Sequence, residues 1–451
     1  MKEMLRRGKK LAVLGMALVM TTSLFTGCGS SNGKTSDGKI EISWMASTQP
    51  QEKVIYQKII KKFEQKYPNI TIKFITADSD TYSQKLTAAA SSNTLPDVYY
   101  VGSGDVRKWA DNNQLLDIQK YVDKSKLDDM WSSALDSYRY DGKEIGKGDL
   151  YALPRSTGPF IMAYNKTMFE KAGIPLPDPK KPYTWDEFEQ ISKKLTKDTN
   201  GDGKIDQFGT GLAAQFSLQS FVWSNGGDWL DKTHKKVTID TPEFIQAFQF
   251  FVDMQNKYKI TPSISETQSL GGYQRWLKGQ MAFYACATWD ISTFNKSLPF
   301  DYGLMTPPVS PKTGKPATWI QSVGFGISAK TKHPKEAVEF ITYLSADKEG
   351  NKEEAAEDLQ MPNVKSVADS DYFSQTKPTN ISEFKNAVEN YGRRMPAEYT
   401  YTSAWYDEFF TNIQPVLDGK VSVSDYCKKE QPIMQKLLDD SYKQQAAAQK
   451  K

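Results

Sequence analysis

Between residues 39 and 101 the spacing of apolar side chains switches repeatedly between two periods, and that switching constrains the fold more than any other feature. Apolar and polar residues alternate over 39–45 as in a strand, and Val54, Ile55, Ile59, Ile60 and Phe63 then repeat at helical spacing. A second strand is expected at 70–75, a helix at 82–90 and a short apolar strand at 97–101. Strands alternating with helices of this length need crossover connections, so the segment predicts an α/β fold with a parallel sheet. Behind an amino-terminal leader roughly 420 residues remain, more than one core usually holds, so two domains are expected.

The pattern then starts afresh. A helix is expected around Trp131, and 160–164 reads as another strand. Thr184 precedes the helical stretch 185–195 with Glu187 three residues on, the arrangement of a capping box. Further helices are expected at 242–258, where a proline sits near the first turn, and at 273–278, 334–344, 382–390, 403–417 and 424–439. The stretch 444–451 has no apolar stripe, and a frayed tail is expected over 446–451.

The leader itself is informative. Arg6, Arg7, Lys9 and Lys10 precede an apolar run over 11–20, the layout of a secretory signal peptide. That run is well short of the roughly 20 residues needed to span a bilayer. It leads to Phe25, Thr26, Gly27 and Cys28, which resembles a lipobox, so residues 1–27 are expected to be cleaved and Cys28 to carry a diacylglycerol anchor. Residues 28–38 have the polar, small-residue composition of a flexible tether. The expected location is extracytoplasmic, on the bacterial cell membrane.

Removing residues 1–27 takes five basic and one acidic side chain from totals of 58 and 54, leaving 53 of each. This even balance offers no basic footprint for nucleic acid. Cys286 and Cys427 are expected as free thiols, and two cysteines with two histidines, His234 and His333, make no transition-metal cluster. Both histidines are expected to face solvent. A hard-cation site is another matter. Asp198, Asn200, Asp202, Gly203, Ile205 and Asp206 match positions 1, 3, 5, 6, 8 and 9 of an EF-hand loop, with the Lys204 carbonyl as a further ligand. Gly209 stands where the loop's bidentate Glu belongs, so a structural Ca2+ is weighed against a metal-free turn whose side chains bind backbone amides. No catalytic cofactor is expected.

Several strings, in order, resemble the family 1 extracellular solute-binding proteins of ABC transporters. They are Leu95-Pro96-Asp97-Val98, Tyr151-Ala152-Leu153-Pro154 with Tyr164-Asn165-Lys166, and Trp223-Ser224-Asn225-Gly226-Gly227. Gly279-Gln280-Met281-Ala282 with Trp289, and Gly324-Phe325-Gly326-Ile327 before Lys335-Glu336-Ala337, continue the series. The resemblance implies a type II periplasmic-binding-protein-like fold, with two discontinuous lobes joined by a hinge that the chain crosses three times. It assigns 39–152 and 323–362 to the first lobe, and 153–322 and 363–445 to the second. It also implies capture of a sugar between the lobes, delivery to the permease subunits of an importer, and a monomer.

A sugar ring has apolar faces and hydroxyl-lined edges, so its site needs aromatic platforms beside short polar groups. Trp44 ends the first strand beside Ser47 and Thr48, where open α/β sheets bind ligands. Trp223 and Trp229 bracket a glycine turn that carries Asp228, and Trp289 pairs with Asp290. Trp319 precedes Gln321 at the second expected crossing. The resemblance adds Asp105 as a polar contact, with a helix cap as its alternative, and Trp405 as a platform, a place that Tyr399, Tyr401 or Tyr406 could also fill; Arg394 is a further candidate as a bidentate donor, with Arg393 facing solvent. For each tryptophan the plain alternative is a place in a core. Two rival functions stand beside capture: a glycoside hydrolase using carboxylates such as Asp228 and Asp290, and an envelope scaffold that binds no solute. No protease, phosphate-loop or dinucleotide motif is present.

Overall fold

The computed structural model describes residues 38–450, except 49, 156, 212, 322, 359–360, 371–372 and 374–376, and gives backbone alone for 50, 51, 79, 80, 321 and 354–358. Cys28, the leader and the tether up to residue 37 lie outside the described residues.

The first strand, Ile40–Ser47, pairs in parallel with Ile70–Ala77 along its whole length and with Val98–Gly102 through Trp44 and Met45. Helices Pro50–Lys66 and Ser79–Ser91 make the crossovers. On the first helix Tyr56, Ile59, Ile60 and Phe63 are buried, an i, i+3, i+4, i+7 stripe, whereas Val54 faces solvent. The apolar face is therefore turned relative to the stripe expected from Val54 and Ile55. The sheet is also mixed rather than purely parallel. Val323–Ile327 runs antiparallel between Val98–Gly102 and Ala152–Pro154, because the chain enters this strand on its way back from the other lobe.

Two crossings are extended segments that change sheets. Ala152–Pro154 belongs to the five-stranded sheet, and Gly158–Pro159 belongs to a three-stranded sheet with Thr318–Gln321 and Gly392–Arg394. In reverse, Thr318–Gln321 leads within two residues into Val323–Ile327. The third crossing is held to the first by Asn363. Its Nδ2 donates to the Pro154 and Arg155 carbonyls at 2.8 Å each, and its Oδ1 accepts from Thr157 Oγ1 at 3.0 Å. Both Asn363 and Thr157 are fully buried, so an apolar replacement would leave two carbonyls and a hydroxyl without partners.

The second lobe is built on Ile161–Asn165, flanked by the antiparallel strands Tyr302–Met305 and Phe283–Cys286. The expected capping box opens helix Trp185–Leu195, with Thr184 Oγ1 accepting from the Glu187 N–H and Glu187 Oε2 accepting from the Thr184 N–H. The stretch expected as one helix over 403–417 is two, Ala404–Thr411 and Gln414–Leu417, the second with proline in its first turn. Cys286 and Cys427 are buried free thiols.

The tail departs most from expectation. Helix Val423–Ala448 extends into the first half of the stretch expected to fray, because polar contacts replace an apolar stripe, and a turn at Gln449 and Lys450 follows it. Gln445 and Gln449 each donate through Nε2 to the Tyr140 hydroxyl at 3.1 Å, tying the last turns to the first lobe.

Candidate functional site

Where the hinge strands enter the second lobe, four aromatic rings are packed together. Phe160, next after Gly158–Pro159, stacks on Trp319 with centroids 5.0 Å apart and planes 17° from parallel. Phe216, on helix Ala214–Ser224, stacks on Phe160 at 5.7 Å and lies 6.1 Å from Trp319. Trp319 Nε1 donates to the Phe216 carbonyl at 2.6 Å, fixing the helix to the strand. Trp289, in the turn Thr288–Asp290 that packs against Gly158–Pro159, is 6.5 Å from Phe160. The inner pair is buried, but Phe216 is 44% and Trp289 40% exposed. Two buried rings therefore support two open ones, and open aromatic area this large is held at a cost in hydration.

Beside Trp289 sits a carboxylate with no cationic partner among the described residues. Asp290 Oδ2 accepts from the Ala287 N–H at 3.1 Å, and burial pushes its pKa up to about 6. A carboxylate so desolvated gains from any further hydrogen-bond donor.

On the first-lobe side of the hinge, Arg155 directly follows Pro154. Its Nε donates to the Tyr56 hydroxyl at 2.6 Å, Nη2 to Glu52 Oε1 at 3.0 Å, and the guanidinium lies over the Tyr56 and Tyr100 rings. Asp105 is exposed in the turn Ser103–Asp105 that follows Val98–Gly102.

A separate cavity of about 550 Å³ opens on the second lobe, lined by Trp223, Asp228, His234, Thr241, Arg393 and Tyr399 among others. It exists because helix Ala214–Ser224 stops at Asn225, and Gly226, with φ +82°, turns the chain in a left-handed conformation that suits glycine. Trp223 Nε1 donates to Asp228 Oδ1 at 2.9 Å, and Arg393 Nη2 donates to Asp228 Oδ2 at 2.6 Å. The same guanidinium covers the Trp223 ring, 4.5 Å from its centroid. His234 is half-buried rather than solvent-facing, and stacks on Tyr399 at 4.1 Å. Burial, with Arg107 nearby, lowers its pKa.

The lobes meet next to this cavity. Glu398, buried in the turn Pro396–Tyr399, accepts from Ser103 of the first lobe, and burial pushes its pKa up to about 7. Its Oε2 has no partner among the described residues. Arg394 Nη1 donates to the Ile145 carbonyl at 3.2 Å, and Gly146 leaves room for it, since a Cβ there would lie 2.7 Å from the guanidinium.

The expected site residues thus separate. Trp289, Asp290, Trp223, Asp228 and Asp105 stand at the hinge or the lobe seam. Trp44 does not, being enclosed by Tyr56, Phe74, Tyr100, Phe325 and Phe340 with no exposed face, because strand alternation places it with Ile42 and Ala46 on the covered side. Trp405 and Trp229 are likewise core residues, as are Tyr401 and Tyr406. Trp319 is buried as a support for Phe160 and Phe216, not as a platform. Arg394 joins the lobes, and its neighbour Arg393 is exposed as expected, on the rim of the cavity; successive strand residues point to opposite faces. Phe216, Phe160 and Arg155 were not named as candidates, and Arg393 was named only as a solvent-facing neighbour. The one signal for Phe216 is its position seven residues before Trp223, which puts both on one face of a helix that was not foreseen.

The calcium-like loop is folded on its own amides. Asp198 accepts from the Gly201 and Gly203 N–H groups at 2.7 Å each, Asn200 from Asp202, and Asp202 from Lys204, while Asp206 accepts from the Thr199 N–H and hydroxyl. Among the described residues no group of three or more His, Cys, Asp or Glu side chains is placed to hold a metal ion. The arrangement is that of an Asx-rich turn.

The family profile for bacterial extracellular solute-binding proteins matches residues 47–351, more than half of the chain. The arabinooligosaccharide-binding protein of Bacillus subtilis strain 168 is 25% identical over 358 residues, covering 76% of this chain and 78% of its own length. Among solved structures, the ABC substrate-binding protein Lmo0181 of Listeria monocytogenes, in complex with cycloalternan, superposes with a TM-score of 0.76 at 21% identity over 88% of this chain and 99% of its own. The sugar-binding protein MalE of Xanthomonas citri does so with a TM-score of 0.75 at 20% identity, over 89% and 98%. The likeness to these structures establishes the two-lobed α/β fold.

Proposed function

The chain belongs to the bacterial extracellular solute-binding protein family, and from that premise we propose that its solute is an oligosaccharide, captured at the hinge and delivered to the permease of an ABC importer. One observation carries the choice of solute. The open rings of Phe216 and Trp289, supported from below by Phe160 and Trp319, offer apolar faces beside the desolvated carboxylate of Asp290. That pairing suits the faces and hydroxyl edges of a sugar ring. Asp105 supplies a polar contact from the other lobe. The names of the relatives point the same way. Cys28 is proposed to carry the acyl chains that hold this extracytoplasmic protein, as a monomer, at the membrane.

Capture without conversion fits the local chemistry. Asp228 is engaged by Arg393 and Trp223, so it is not the free second carboxylate that a hydrolytic pair with Asp290 would need. The loop at 198–206 is read as a metal-free turn; saturable calcium heat in the parent that is lost in Asp198→Ala would reverse that reading.

Thermal melts against a panel of neutral oligosaccharides test the proposal, because a solute that binds the folded state selectively raises the melting temperature. At least one member should do so in the folded parent and much less in Trp289→Ala. A panel with no effect would favour the scaffold alternative, and sugar products appearing on incubation would favour the hydrolase.

A further inference from the structure

We infer that the cavity at Trp223, Asp228 and Arg393 is a second subsite of the same binding site, and that the solute is a linear, neutral sugar chain of at least three rings. The inference rests on the carbohydrate reading proposed above.

The two places are connected by the fold. Phe216 and Trp223 lie seven residues apart on helix Ala214–Ser224, two turns along one face, a span of about 10 Å. Between them Ser220 meets Thr318 through their hydroxyls at 3.4 Å, so this face lies along strand Thr318–Gln321. That strand pairs with Gly392–Arg394, Trp319 standing opposite Arg393. Arg393 and Trp319 therefore occupy matching positions on neighbouring parallel strands, and Phe160 bonds Trp319 from the other side, its N–H donating to the Trp319 carbonyl at 3.0 Å. One strip runs from Trp289 through Phe160, Trp319 and Phe216 to Arg393 and Trp223. A single ring cannot cover it; one ring on the platform, one at the cavity and one between them can.

The cavity also suits a hydroxyl-rich ring. At about 550 Å³ it falls in the range of small-molecule sites. Asp228 and Arg393 keep 37% and 40% of their side chains exposed although they are bonded to one another, so lone pairs and N–H groups remain for a ligand. Trp223 holds the pair in place by its N–H and its ring face. The stacked His234 and Tyr399 add an apolar edge. The charged side chains around the cavity balance in number: Arg393 pairs with Asp228 and Lys312 with Glu243 at 2.8 Å, and Lys232 on the lining offsets Asp231, which accepts from the Thr233 hydroxyl and the Lys235 and Lys236 amides. Such a lining favours a neutral ligand over a phosphate or uronate chain.

A purely structural role for the pair is a poor account, since an exposed ion pair contributes little to stability. The test is calorimetric titration of the full chain with two probe series, linear arabino-oligosaccharides and linear malto-oligosaccharides of increasing length, on the parent, Arg393→Ala, Asp228→Asn and Phe216→Ala. The expected result is a parent affinity that rises at least tenfold from two rings to four. Arg393→Ala and Asp228→Asn should each weaken the longer probe five- to fiftyfold and the shorter less than twofold, while Phe216→Ala weakens both alike. Length-independent affinity, or equal losses for short and long probes in both cavity variants, would overturn the subsite and leave the carbohydrate reading standing. A parent that binds neither series would overturn both.

Discussion

Phe216 and Trp223 share a helix face, yet the first ring is open and the second lies under a guanidinium. At the hinge, stacked neighbours hold apolar area ready, and the adjacent carboxylate has no cationic partner among the described residues. At the cavity, the aromatic ring is hidden and serves to position polar groups that are themselves exposed. The two ends thus divide the work of recognition. One contributes contact area and the other directed hydrogen bonds, and removing both open rings should cost far more affinity than removing one polar group of the matched pair.

That contrast is broken most directly by replacing both open rings. Phe216→Ala with Trp289→Ala should weaken any bound sugar by on the order of 4 kcal/mol, about a thousandfold, taking 1–3 kcal/mol for each lost stacking contact. Calorimetry would show it, and the melting temperature without ligand should scarcely move, since both rings are partly exposed. An unchanged affinity would put the recognition elsewhere.

Next in size is the seam beside the cavity. Burial lifts the Glu398 pKa from 4.5 to about 7, so the folded state keeps a proton that the unfolded chain releases. Stability from this group is full below about pH 4.5 and is lost as pH rises through 7, a change on the order of 3 kcal/mol. Chemical denaturation from pH 4 to 8 should reveal the slope, and Glu398→Gln should flatten it. A slope retained in the variant would assign it to other groups.

Asp290 offers a smaller effect at the open end. A ligand hydroxyl that donates to it favours the ionised form, so affinity should drop roughly tenfold as pH falls from about 7.5 to 5, through the pKa of about 6. In Asp290→Asn the affinity should no longer follow pH. A parent profile that is flat would show that the carboxylate does not take part.

The smallest expected change is at the capped end. Arg393→Ala should alter the unfolding free energy of the ligand-free protein by less than about 1 kcal/mol, because both partners of the ion pair are well exposed. A larger loss would make the cap a structural element.

Much of the architecture was legible because period switching is a local property: 39–101 alone carries the strand and helix order of the first lobe's sheet. The antiparallel return strand was not legible from that segment, since its direction depends on where the chain comes from. Trp289 with Asp290 could be named from type and neighbourhood. Trp44 was misjudged although the signal was present, because Ile42 and Ala46, two residues to either side, share its face. Arg393 and Arg394 show a harder limit. Adjacent strand residues face opposite ways, and only the partner strand decides which way is which.

The openness of Trp289 has a use outside binding. Among the ten tryptophans of the chain it alone is exposed; Trp109 is intermediate and the other eight are buried. Indole emission shifts to the blue and changes in intensity when water leaves the ring, and buried indoles have little water to lose. A solute settling on this platform should therefore report its own arrival in the intrinsic fluorescence spectrum. The difference between loaded and free protein would arise almost wholly from one residue, making the unlabelled protein an optical sensor for whatever it carries.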